Sequence, residues 1–444
     1  MAIGGLNMLV WLAIPMLLCV GAMAVGGKPR PPEQLSTLDN GTLRVGVDLS
    51  LGGVISYLGR SGEAGFNIIN SHDWGRQVQQ SYYSGPRPFG EAHPGWKGWC
   101  WNPIGTGDAY GNPAKVLEHT NDGQSMYVRS QPMQWALNNV PGDCTFESWI
   151  RLDGPVVHVR CRLTNRRSDT TQYQARGQEL PAVYTIGKLY RLFTYIGDQP
   201  YTGQPPRQIA NAGPPWEHWE GTEHWAALVG DDGWGLGVMN PEAVQFTGGF
   251  HDTPNIGGSL DNPTGYIAPI TVEVLDHNVV FDYEYDLIVG TLDEIRRYVY
   301  EHRPAEPTMW RFDRDRRHWT YVGGCDSGWP IQGQLCLIDQ PAKVQMLGPQ
   351  QFVQAEQAGT IVIEGAWMQE GATPLVHWRR PGSKDWLGPV AIKVIGDGVS
   401  RRYTAKLAGH PEYSGALLQL RLQPLHGLPG TGSVRISSIS LVQE

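Results

Sequence analysis

Positive charge is scarce in this chain: 35 Lys and Arg stand against 43 Asp and Glu, a formal net charge of -8. No stretch makes a basic face, so nucleic acid is not an expected partner. Heptads, internal repeats and low-complexity tracts are absent, which leaves out coiled coils and solenoids. No CxxC or His/Cys ligand spacing occurs, so a structural zinc site has no support. Long apolar runs are also missing. The one hydrophobic run, residues 9–20, is broken by Pro15 and is short for a membrane span. Ala22-Met23-Ala24 follows it as an A-x-A cleavage signal, so the expectation is a signal peptide over residues 1–24 and a mature start near Val25. The expected location is therefore secreted or periplasmic, with no membrane contact after cleavage. The first cation is Lys28, an atypical n-region that leaves an uncleaved anchor open.

Cysteine is sparse, and export would permit disulfides. With Cys19 inside the signal, Cys325 and Cys336 are spaced to close a short loop. Cys144 and Cys161 flank a hairpin turning at Asp153-Gly154, and Cys100 is left over.

Phenylalanine is the scarce aromatic: 9 Phe accompany 17 Trp and 18 Tyr, so rings with polar handles are preferred to purely apolar ones. Such rings suit the faces of sugars, whose C–H groups stack on an aromatic plane while their hydroxyls bond at its edge. A β-rich core that uses Trp as filler would have the same composition.

The 56 Gly and 33 Pro punctuate short alternating or apolar runs at 43–49, 125–129, 146–152, 156–163, 226–229, 235–239, 270–274 and 282–289. These predict an all-β chain built on a large antiparallel sandwich. One helix is predicted over 292–302, opened by Thr291 as N-cap and stopped before Pro304. A first domain is expected over 35–303 and a linker over 304–340. A smaller β-sandwich or jelly-roll accessory domain is expected over 341–444.

The densest polar stretch is residues 70–83, N-S-H-D-W-G-R-Q-V-Q-Q-S-Y-Y. Read as extended chain, it puts Arg76, Val78, Gln80 and Tyr82 on one face and Gln77, Gln79, Ser81 and Tyr83 on the other. With neither face apolar, it is either a solvated edge or the floor of a cleft. Trp96, Trp99 and Trp101, with His93 nearby, lie in a Gly/Pro loop that can stack sugar rings or plug a hydrophobic cluster. Arg176 and Gln178 alternate with Glu179. Trp216, Glu217, His218, Trp219, Glu220, Glu223 and His224 crowd carboxylates and imidazoles closely enough to shift a pKa; a wet surface loop would be built of the same residues.

Residues 43–58, L-R-V-G-V-D-L-S-L-G-G-V-I-S-Y-L, resemble the first hairpin of the galactose-mutarotase-like supersandwich. Residues 67–83, 178–184 and 222–227, the last followed by Gly235-Leu236-Gly237, are similar to secreted sugar-active proteins of that architecture. The resemblance covers about residues 35–302. Residues 416–424 and 432–441 are similar to the last strands of galactose-binding-like jelly rolls, many of which bind carbohydrate. The resemblance implies a supersandwich whose concave sheet binds saccharide, with activities that include aldose epimerases, polysaccharide lyases and noncatalytic domains of glycosidases. Fold alone does not choose among them.

The expectation is thus a carbohydrate-active protein that takes a polysaccharide or oligosaccharide and needs no cofactor. Structural calcium remains open at the acidic turns around Asp231-Asp232 or Asp313 and Asp315. Its candidate catalytic residues are His72, Asp73, Arg76, Tyr82, Glu179, Glu223 and His224. The candidate binding residues are Gln80, Tyr83, His93, Trp96, Trp99, Trp101, Arg176, Trp216 and Trp219. Hydrolysis would use paired carboxylates, and elimination a His or Tyr with a cation. The alternative is a noncatalytic glycan-binding protein, in which no acid and base need converge.

Overall fold

A computed structural model describes residues 30–63, 65–86, 90–210 and 212–443, so the expected signal peptide lies outside the described residues. Two large antiparallel sheets are built by the first two thirds of the chain. The ten-stranded sheet runs Leu35–Asp39, Leu43–Asp48, Val54–Arg60, Val78–Ser81, Arg176–Ile186, Thr264–Glu273, Gln245–His251, Glu217–Glu220; Pro103–Ile104 and Met133–Gln134 branch from Val78–Ser81. The nine-stranded sheet runs Arg207–Ile209, Arg191–Thr194, Trp225–Val229, Trp234–Met239, Val280–Thr291, Val156–Asn165, Cys144–Asp153, Ser125–Gln131, Lys115–Asn121. Period-two alternation turns Val45, Leu58 and Val78 of the first sheet toward Leu163, Leu228 and Leu287 of the second, and all six are enclosed in one core. Each such side chain contributes ~1.5–3 kcal/mol.

The helix Leu292–Glu301 covers the far face of the nine-stranded sheet, setting Ile295 and Val299 on Trp225, Ala227 and Ile288. Its start carries a capping box, in which Glu294 N donates to Thr291 Oγ1 at 3.3 Å and Thr291 N to Glu294 Oε2 at 2.8 Å. The far face of the ten-stranded sheet instead presents Ala182, Tyr266, Ala268 and Ile270 with Tyr184 and Trp216.

The remaining described residues form two five-stranded sheets and a two-stranded one, Val353–Gln354 with Ala416–Leu417, around a core that includes Trp310, Trp319, Trp367 and Trp378. Here the sequence expectation is corrected. The stretch read as a linker, 304–340, supplies the strands Met309–Arg311 and Thr320–Val322 and most of Leu335–Pro341. Strands of three residues separated by charged turns show no periodicity to read. The disulfides are corrected too, since Cys100, Cys144, Cys161, Cys325 and Cys336 are all free thiols. Cys144 pairs with Asn165 and Cys161 with Ser148 in the hairpin ladder. The two are therefore four residues apart along it, about 13 Å, beyond disulfide reach.

Charged groups join the two halves. His318 bridges them, its Nδ1 donating to Glu273 Oε1 at 2.5 Å while Nε2 lies 3.5 Å from Glu242 Oε1. Burial by itself lowers the imidazole pKa, but Glu273 and then Glu242 outweigh it and hold it well above 6.5. A histidine whose folded pKa is raised stabilises fully below its unfolded pKa, and that stability is lost as pH rises through the folded value. Unfolding midpoints measured from pH 6 upward are therefore expected to show a margin of wild type over His318→Gln that shrinks on the alkaline side. A margin that grows with pH would refute this ion triad.

Candidate functional site

The expected site over residues 70–83 divides between two environments. Arg76 Nε donates to Asp73 Oδ2 at 2.9 Å, and its other nitrogens donate to Asn70 Oδ1, Asn262 O and Asn262 Oδ1 at 3.1, 2.7 and 2.9 Å. Four of the five guanidinium N–H groups are thus spent, two within this loop and two tying it to Asn262. His72, exposed beside it, donates from Nδ1 to Leu260 O at 3.0 Å. The strand Val78–Ser81 is central, so one of its faces is core. Tyr82 is fully buried there and donates to Gln80 Oε1 at 2.9 Å, while Gln80 Nε2 donates to Glu147 O and Ser148 Oγ at 3.1 Å each. Gln80 and Tyr82 therefore form a satisfied polar pair between the sheets, away from solvent. This corrects their reading as site residues.

Glu223 and His224 are likewise structural. Glu223, wholly buried, accepts from Tyr300 OH at 2.8 Å, Tyr201 N at 2.9 Å and Trp225 Nε1 at 3.0 Å, and pairs with Arg296 at 3.3 Å. It belongs to the helix-covered side of the sandwich, opposite the face that carries Tyr266. His224 Nε2 lies 2.9 Å from Glu306 Oε1 with the ring buried. The carboxylates and imidazoles crowded in sequence are thus separated in space, and His72, Tyr82 and Glu223 do not converge.

What does converge lies around Glu179. Its strand neighbours are Ser81 on one side and Ile270 on the other, which places it on the outer face of the ten-stranded sheet. Tyr83 OH donates to Glu179 Oε2 at 3.0 Å and Ser81 Oγ donates to Tyr83 OH at 3.2 Å. Tyr266 also bonds the carboxylate. Burial raises the Glu179 pKa, against the opposing pull of the Tyr83, Tyr266 and Ser81 hydroxyls. Burial first and the Glu179 charge second push both phenols well above 10. A half-buried carboxyl with a raised pKa therefore sits against phenols that are protonated at neutral pH.

Aromatic rings flank this carboxyl on both sides. Trp99 lies 5.5 Å from Tyr83, and Trp96 meets Trp99 edge-on at 5.1 Å. Across the carboxyl, Tyr184 and Trp216 lie 4.6 and 5.0 Å from Tyr266. Trp101 is not part of this wall; it is buried, with Arg167 5.7 Å from its ring. Trp219 is also core, stacked on Phe246 at 6.0 Å. His93 Nδ1 caps a short 3-10 turn by accepting from Gly95 N at 3.1 Å, which orients the Trp96 loop. Arg176 turns to Cys100 Sγ and to Gly85 O, the face opposite Glu179.

Tyr266 and His218 escaped selection as site residues from the sequence. Tyr266 gave no signal in its apolar run, and only its pairing with Tyr184 brings it to Glu179. His218 pairs with Thr247, which pairs with Ala268, so its side chain shares the Glu179 face three strands away and two residues along, about 16 Å. Desolvation lowers its pKa. Among the described residues, no group of three or more His, Cys, Asp or Glu is arranged to hold a metal ion. Of the turns read as calcium candidates, Asp231 accepts from Asn255 Nδ2 at 2.8 Å, Asp232 from Trp234 N at 3.1 Å and Asp315 from Arg317 N at 2.9 Å.

No family model matches the chain, and the comparison with curated proteins found no match. Among solved structures, the chain is similar to a galactose mutarotase-like protein from Lactobacillus casei: 12% identity over 58% of this chain and 100% of that one, TM-score 0.35. A galactose mutarotase related enzyme from Lactobacillus acidophilus is similar at 14% identity over 59% and 99%, TM-score 0.34. The 4-alpha-glucanotransferase from Thermococcus litoralis is similar at 10% identity over 59% and 38%, TM-score 0.35. Likenesses this low carry nothing about chemistry.

Proposed function

We propose that the outer face of the ten-stranded sheet binds a saccharide chain outside the cytoplasm and that Glu179 with Tyr83 acts on it by lyase-type elimination. One observation carries the reading: a half-buried carboxyl bonded to Tyr83 and Tyr266 between the Trp99 and Trp216 walls. Glu179 takes the proton α to a uronate carboxyl, and a C=C bond forms as the C–O bond β to it breaks. Tyr83 gives its proton to the leaving oxygen, and Glu179 returns the abstracted proton to Tyr83 across their 3.0 Å contact. Acid and base on one side of the sugar favour elimination. Hydrolysis needs a second carboxylate across the scissile bond, whereas Asp73 is paired with Arg76, Glu220 with Arg379 and Glu223 with Arg296, and Glu217 alternates with Glu220 onto the opposite face of its strand.

A second reading, glycan binding alone, is favoured by Arg176 being turned away from Glu179, which leaves it no part in neutralising a uronate there. The test is to incubate the protein with neutral and uronic-acid polysaccharides and follow reducing ends and the absorbance of unsaturated products together. Both signals rising on uronic-acid polymers is the expected result. Reducing ends alone would overturn elimination, and silence with binding retained would leave the lectin. On either reading Trp99→Ala and Trp216→Ala are each expected to weaken binding about tenfold, ~1.4 kcal/mol, in fluorescence titration with an oligosaccharide.

A further inference from the structure

The sheet Thr320–Val322, Gln345–Leu347, Gln419–Gln423, Leu375–Arg379, Leu387–Ala391 has one face in the core, where Tyr321, Met346, Leu422, Val376 and Trp378 lie. Strand alternation then places Gln345, Leu347, Arg421, Gln423, His377 and Arg379 on its other face. That face is mostly polar and carries two arginines, of which Arg379 is paired with Glu220 and Arg421 is not paired with a carboxylate. Arg421 pairs with His377 on one side and Leu347 on the other. Its guanidinium lies 4.7 Å over the ring of half-buried Trp386.

The Nε of Arg421 is shielded from solvent and has no hydrogen-bond partner. Burial lowers its pKa with no carboxylate to offset the loss. The neighbouring His377 Nε2 reaches Gln423 Oε1 at 3.0 Å. Burial and then Arg421 lower its pKa, so of this neighbouring pair Arg421 carries the charge. A partly desolvated guanidinium without an anion is costly in a folded chain, and an anionic ligand would relieve that cost with a charge-assisted fork.

The face also adjoins the site around Glu179. Arg379 NH1 donates to Glu220 Oε1 at 2.5 Å and Gly382 N to Glu220 Oε2 at 2.6 Å. Glu220 pairs with Gln245, Gln245 with Ile270 and Ile270 with Glu179, so all four share one face of the ten-stranded sheet.

We propose that this face is a second saccharide subsite that takes an acidic sugar chain, its anionic group on Arg421 and a sugar ring against Trp386. The net charge of -8 opposes unspecific attraction of the chain to a polyanion, so retention by one requires a local site. The test is affinity electrophoresis of the full chain in native gels containing polygalacturonate, dextran sulfate or dextran. Retardation is expected with an acidic polymer and not with dextran. Polygalacturonate alone would assign a carboxylate ligand and dextran sulfate alone a sulfate.

Arg421→Gln and Trp386→Ala are each expected to weaken retention about tenfold, with Arg421→Lys keeping part of it. Near-UV circular dichroism on each variant confirms the fold. Equal retardation in dextran, or retention unchanged in both folded variants, would overturn the subsite. The readout is retention, so it stands independently of whether Glu179 turns substrate over.

Discussion

Arg316→Met is expected to destabilise the protein by about 3–5 kcal/mol, the cost of leaving buried carboxylates without their cation. Arg316 is 6% exposed and lies between Asp326, at 0%, and Asp276, at 4%. Its Nε and one terminal nitrogen donate to the two Asp326 oxygens at 2.6 and 2.7 Å, and the other terminal nitrogen lies 2.6 Å from Asp276 Oδ2. Gln172 Nε2 spans both acids at 2.9 and 2.8 Å, and Tyr321 OH donates to Asp326 Oδ2 at 2.8 Å. The cluster joins residues 172 and 276 of the large sandwich to residues 316–326 of the smaller one. Burial disfavours the charged forms of Arg316 and Asp326; the hydrogen bonds between them override it, raising the guanidinium pKa and lowering the Asp326 pKa.

Urea unfolding checks this, with midpoint and slope compared between wild type and variant. Arg316→Lys is expected to recover only part of the loss, because an ammonium cannot reproduce a fork held by two acids. Adding Asp276→Asn and Asp326→Asn to Arg316→Met is expected to recover much of it, since it removes the uncompensated charge. A single Arg316→Met change costing less than about 1 kcal/mol, as surface pairs do, would show that these carboxylates are not held by this arginine.

Local signals carried much of this architecture. The Gly and Pro punctuation located strands such as Ser125–Gln131 and Val280–Thr291, and Thr291 marked the start of the helix. Period two correctly separated Tyr82 from Tyr83 and Arg176 from Glu179. It could not say which face is core, because that depends on partners distant in sequence. Gln80 and Tyr82 look like a polar cleft until Glu147 and Ser148 arrive from the other sheet. Glu223 and His224 look like an acid–base pair until Arg296 and Glu306, 73 and 82 residues later, engage them. Glu179 stood out less than either, being one carboxylate beside a Leu-Pro step. Its setting comes from three separate strands, and local density of polar residues is a poor guide to a site assembled that way.

Glu179→Gln is expected to lower turnover on a uronic-acid polymer by about 10²–10⁴-fold, the range for removing a positioned general base. The amide keeps the size and the acceptor oxygen that Tyr83 OH reaches at 3.0 Å, so the fold and the aromatic walls are left in place. Binding is therefore expected to survive while the chemical step fails, a fall in kcat with KM little changed. Tyr83→Phe removes the proton donor and is expected to fall in the same range.

The pH profile separates this role from a merely structural one. Burial raises the Glu179 pKa, so a base role predicts activity that is lost as pH falls through a value above the ordinary carboxyl 4.5. A general acid at the same position would give the opposite limb, with activity lost as pH rises through that value. Tyr83, pushed well above 10, stays protonated on the alkaline side and adds no limb near neutrality. Full activity in Glu179→Gln, or a wild-type profile with its acid limb at the ordinary carboxyl value, would remove Glu179 from the chemistry. The flanking rings of Trp99 and Trp216 would then serve binding alone.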